Sequence, residues 1–150
     1  MTRFYNLVFI TLIVCFHCSA QVDTEFWFAP PEITAGHGDL PLILRVSAQD
    51  EAATVRVFQP ARGNIELANF TIPANTTQVI DLSAHRPDVE TSLPNTVMKS
   101  GLHITSSAPI TAYYEEASFF NAEIFVLKGK NALGKKFIIA AQNFFDNASD

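Results

Sequence analysis

Leu42, Leu44 and Val46 alternate with Ile43, Arg45 and Ser47. Successive side chains of an extended chain point to opposite faces, so this spacing predicts a half-buried strand with its even positions inward. Thr54-Val55-Arg56-Val57-Phe58 repeats the pattern, with Val55 and Val57 inward and Arg56 outward. The polar Gln49-Asp50-Glu51 between them reads as a hairpin loop. Further runs rich in β-branched and aromatic residues occupy positions 65–67, 70–72, 77–82, 102–105, 110–114, 124–127 and 137–141. Turn residues separate them: Pro60 and Gly63, Pro73 and Asn75, Ser106-Ser107-Ala108-Pro109, then the stretch between Gly129 and Gly134. No segment sustains an apolar i, i+3, i+4, i+7 pattern over three turns. The prediction is an all-β fold, an antiparallel β-sandwich-like domain.

The first twenty residues are of another kind. Arg3 precedes an apolar run over residues 7–16, and Cys18-Ser19-Ala20 supplies a small-residue end before Gln21. These are the three parts of a secretory signal peptide, with cleavage expected between Ala20 and Gln21. The run is shorter than the about 20 residues a bilayer-spanning helix needs. Cleavage removes Arg3 and both cysteines, Cys15 and Cys18, taking the formal charge from -5 to -6. Disulfides, zinc-thiolate sites and thiol nucleophiles are thereby excluded from the mature chain. The acidic balance also argues against a nucleic-acid partner, since phosphate neutralisation needs clustered Lys and Arg. Residues 21–150 are expected to form a single β-rich domain in a secreted or cell-surface protein, with no membrane span after cleavage. The chain ends soon after Phe144-Phe145, so that domain reads as the front part of a longer one.

Chemistry-bearing residues are sparse. No GxSxG, GxxxxGK or HExxH motif occurs. His37, in Gly36-His37-Gly38-Asp39, lacks local co-ligands for a metal. His103 falls on the solvent-facing parity of its strand. Glu115 and Glu116 follow Tyr113-Tyr114, but neighbours on a strand face opposite ways and cannot share one glycosidase site. The aromatic groups Phe26-Trp27-Phe28, Phe119-Phe120 and Phe144-Phe145 read first as core, with a binding platform as the alternative. Asn69, Asn75 and Asn147 head Asn-x-Ser/Thr sequons. Residues 83–100 carry Pro87, Pro94 and no strand pattern. So long a loop is either functional or a crossover holding a short helical turn, and His85, Arg86, Asp88 and Glu90 are its candidate ligand-binding residues.

From Asn75 onward the order of motifs resembles a known family. The run Asn75-Thr76-Thr77-Gln78-Val79-Ile80-Asp81-Leu82 precedes the loop. Gly101-Leu102-His103-Ile104-Thr105-Ser106-Ser107-Ala108-Pro109-Ile110-Thr111-Ala112-Tyr113-Tyr114 follows it. With Asn131-Ala132-Leu133-Gly134-Lys135-Lys136-Phe137, these resemble the IgGFc-binding protein N-terminal domain, especially its bacterial secreted and surface members. The resemblance extends loosely from about Phe26 to Phe145, while the family domain is longer than this chain. It implies an extracellular β-rich module for adhesion or ligand binding, without catalysis or cofactor, at a bacterial outer surface or in the periplasm. The expected function is thus an exported, non-enzymatic binding module for an extracellular glycoprotein or polysaccharide, acting through loops at one end of the sandwich. The alternatives are a structural spacer packed against further domains of a longer parent protein, and a carbohydrate-active enzyme using Glu115, Glu116 or Asp81.

Overall fold

A computed structural model describes residues 21–32, 40–93, 95–119, 122–130 and 133. Among these the fold is all-β, as the alternation predicts. Seven strands form one antiparallel sheet: β1 (Asp23–Phe28), β2 (Leu42–Ala48), β3 (Ala53–Gln59), β4 (Ile65–Ile72), β5 (Thr77–Asp81), β6 (Leu102–Glu116) and β7 (Glu123–Val126). The sheet is nearly closed into a barrel-like shape.

Strand β6 is the spine. His103 pairs with Trp27 of β1 and with Phe58 of β3, so those two strands flank it on opposite sides. Ile110 pairs with Asp23 of β1 and Ala48 of β2, which puts β2 on the same side as β3. Tyr113 pairs with Arg45 of β2 and Val126 of β7, which puts β7 on the side of β1. Strands β3 and β2 therefore lie end to end along one flank of β6, and β1 and β7 along the other. Outside the first pair, β4 continues beside β3 and β5 beside β2.

Three local expectations change. Residues 49–51 are not a hairpin turn, because β2 and β3 pair with β6 and not with each other. They form a corner held to the neighbouring corner, where Asn75 N–H donates to Gln49 O at 2.6 Å and Ala48 N–H to Thr76 O at 3.0 Å. Secondly, Ser106-Ser107-Ala108-Pro109 is no turn, and the strands expected on either side of it are one strand of 15 residues. Proline cannot donate to a ladder. Here Pro109 falls between the end of the β3 register at Ser106 and the start of the β2 register at Ile110, where the partner changes. On the other flank the register shifts between Glu25 and Asp23 at the same level. Thirdly, residues 65–67 and 70–72 merge into β4. The turn signals at Pro60 and Gly63 do act as such: a 3-10 turn at Pro60–Arg62 ends on Gly63 and Asn64, both left-handed, at φ 79° and 60°.

Parity decides the core. Leu42, Leu44, Val46, Ala48, Val55, Val57, Leu102, Ile104, Ala108, Ile110, Ala112 and Tyr114 are buried together with Phe26, Ile72, Leu82 and Val89. Burying each such Leu, Ile or Val contributes about 1.5–3 kcal/mol. Phe28 and Phe125 close on Tyr114, with ring centroids 5.1 and 6.3 Å away. Residues 83–100 take the crossover form: a 3-10 turn at Ser83–His85 and one helical turn at Arg86–Val89, linking β5 to β6. Buried Gln59 anchors it, its Nε2 donating to Asp88 O at 2.7 Å and to Ser100 O at 3.4 Å. Thr91 ties it to the end of β1, with its N–H and Oγ1 both donating to Pro30 O at 2.8 Å.

Candidate functional site

The outer face carries an aromatic row across three strands. Phe26 is buried and Phe28 mostly so, and alternation turns Trp27 between them to the outside. Val55 and Val57 turn Phe58 outward, and Leu102 and Ile104 do the same to His103. Pairing then sets Trp27, His103 and Phe58 side by side. The His103 ring stacks on Trp27 with centroids 3.9 Å apart and 13° between planes, and meets Phe58 at 4.6 Å with its plane turned by 61°. His103 keeps its solvent-facing parity, yet its neighbours leave the side chain only 14% exposed. Trp27 remains 48% exposed.

Polar groups fix this row. Trp27 Nε1 donates to Glu25 Oε1 at 3.2 Å, and His103 Nε2 lies 3.0 Å from the same oxygen. The indole hydrogen bond, followed by the one with His103 and the attraction of His103 and Lys130, holds the Glu25 carboxyl below its ordinary 4.5 against a smaller desolvation effect. Lys130 Nζ stands 3.9 Å from both Glu25 Oε2 and Asp23 Oδ1, and Lys130 N–H donates to Asp23 Oδ2 at 2.7 Å. At the other end, the Arg56 guanidinium lies 5.8 Å from the Phe58 ring centre, and Arg56 Nε donates to Glu66 Oε2 at 2.7 Å. A flat ring is thus immobilised beside carboxylates and cations. Such a surface suits a ligand with an apolar face and a polar rim.

The loop residues singled out from sequence lie elsewhere and are engaged with the protein. Asp88 is ion-paired with Arg62, and Arg86 Nε lies 3.6 Å from Glu90 Oε2. Glu90 is buried, while His85 is half-buried and its N–H donates to Leu82 O. Glu115 and Glu116 face opposite ways: Glu115 accepts from Arg45 Nε on the outer face at 2.6 Å, and Glu116 is fully buried. Asp81 accepts from Ser83 N–H at 2.8 Å, and its hydrogen bonds with Ser83 lower its pKa. Asn69 and Asn75 are both exposed. Phe119 is exposed as well. Ala20, His37, Phe120, Phe144, Phe145, Asn147 and the run at 137–141 lie outside the described residues, which open at Gln21.

Among the described residues no three His, Cys, Asp or Glu side chains gather to hold a metal ion. No helix among them is long and apolar enough to cross a membrane.

No protein-family model and no curated protein matches the chain. Among solved structures it is similar to the Anabaena sensory rhodopsin transducer, at 18% identity and a TM-score of 0.39, over 63% of this chain and 95% of that one. A likeness of that grade is too loose to carry a functional inference.

Proposed function

We propose that the chain is an exported, non-enzymatic binding module whose ligand is an extracellular glycoprotein or polysaccharide. We place its binding surface on the outer face of β1, β6 and β3. The observation that carries this reading is Trp27, half exposed at the sheet surface yet held by His103 and Glu25. An aromatic ring fixed in advance loses little entropy on binding and offers a broad apolar face. Among the described residues no strand pairs with the outer edge of β1. Export rests on the leader before Gln21, and the resemblance to IgGFc-binding protein N-terminal domains agrees with an adhesive role.

The surface reading departs from recognition through residues 83–100, whose Arg86 and Asp88 are engaged in ion pairs within the protein. The separation of Glu115 from Glu116 across the sheet favours binding over glycoside hydrolysis. Retention of the purified chain on a glycan array tests the reading. Trp27→Ala is expected to lose binding, while a chain with a foreign sequence at residues 83–100 keeps it. The reverse pattern overturns the assignment of the surface.

A further inference from the structure

Resting on the surface just proposed, the electrostatics of the platform narrow its ligand class. We infer that the Trp27 platform receives an uncharged pyranose and turns away anionic sugars such as uronic acids and sulfated residues. Among the described residues three carboxylates, Asp23, Glu25 and Glu66, border the aromatic row, against two cations, Lys130 and Arg56, and the His103 imidazole bound to Glu25. Both cations are already engaged. Lys130 is shared between Asp23 and Glu25, and Arg56 is bound by Glu66. An incoming carboxylate or sulfate would meet cations whose charge these acids already offset and would enter the field of all three acids, in a chain whose net charge is -5.

An uncharged sugar meets no such barrier. Its axial C–H face lies on the indole, whose π-face is electron-rich, and its hydroxyls donate to carboxylate oxygens at the rim. Glu25 Oε1 is taken by Trp27 and His103, whereas among the described residues Oε2 meets the Lys130 ammonium alone, at 3.9 Å. That oxygen is the acceptor a sugar hydroxyl would use. Phe58, on the far side of His103 and beneath the Arg56 guanidinium, extends the apolar row toward a neighbouring sugar unit.

Trp27 is the chain's one tryptophan, so its emission reports on this site alone. The test titrates the purified chain with laminarin and mannan as uncharged probes, and with polygalacturonate and chondroitin sulfate as anionic ones. Affinity electrophoresis in the same polymers gives a readout independent of the indole. An uncharged polymer is expected to shift the emission saturably and retard the chain, the anionic ones to do neither. Trp27→Ala should weaken retardation roughly tenfold or more, as loss of a central aromatic anchor does. Trp27→Phe, which keeps a ring in the same packing, should retain most of it. Saturable emission changes with an anionic polymer, with retardation lost in Trp27→Ala, overturn the ligand class and leave the surface standing. Retardation undiminished in a folded Trp27→Ala chain, or no response to any of the four polymers, overturns both.

Discussion

Glu25 links two rings of the outer surface, because one of its oxygens meets both the indole of Trp27 and the imidazole of His103. Its carboxyl is held below 4.5, first by the Trp27 hydrogen bond, so ionised Glu25 favours the folded arrangement. The sign follows from linkage. The contribution is fully present above the ordinary carboxylate range and is lost as pH falls through the lowered folded value. Acid titration followed by Trp27 emission should therefore show a step below pH 4.5 that Glu25→Gln removes. A second single-residue test lies at Gly129. A β-carbon there would collide with the Asp23 side chain, including its own Cβ. Gly129→Ala is expected to push residues 127–130 off β1 at a cost of about 1–3 kcal/mol, read by denaturant unfolding.

At the scale of elements, β6 carries the fold with one parity throughout: Leu102, Ile104, Ala108, Ile110, Ala112, Tyr114 and Glu116 are buried. Ile110→Ala should cost about 2–5 kcal/mol, whereas Thr111→Ala, one residue along and on the outer face, should stay within roughly 0.5 kcal/mol. Equal losses from both would contradict the assignment of faces. The crossover gives a further comparison. Asp88→Ala removes an ion pair whose partners are both partly exposed, so a loss under about 1 kcal/mol is expected in thermal unfolding. Most of the strands and their parity were legible in the sequence because alternation is a local property: it set Val55 and Val57 inward and Arg56 outward, and it turned His103 to the outer face, whereas β1 was not among the runs read as strands. Which strands pair was not legible, since Ser106-Ser107-Ala108-Pro109 looks the same in a turn as in a spine that changes partners. The aromatic row was missed for the same reason. Parity alone brings Trp27, His103 and Phe58 outward, but only the register across β1, β6 and β3 makes them neighbours.

For the whole molecule, a sheet nearly closed on itself separates two duties. The inner face is filled with aliphatic side chains and the Tyr114 ring cluster. The outer face is left free to carry exposed rings such as Trp27 without disturbing that core. Both cysteines, Cys15 and Cys18, precede the sheet, whose own residues are left to stabilise it by burial. The most direct test of the proposed binding surface is the amide spectrum of the isotopically labelled chain, recorded while laminarin oligosaccharide is added. The largest shift changes should fall on residues 25–28, 56–58 and 102–105, the three strand segments that present Trp27, Phe58 and His103. Changes concentrated in residues 83–100, with those three segments unmoved, would contradict the account.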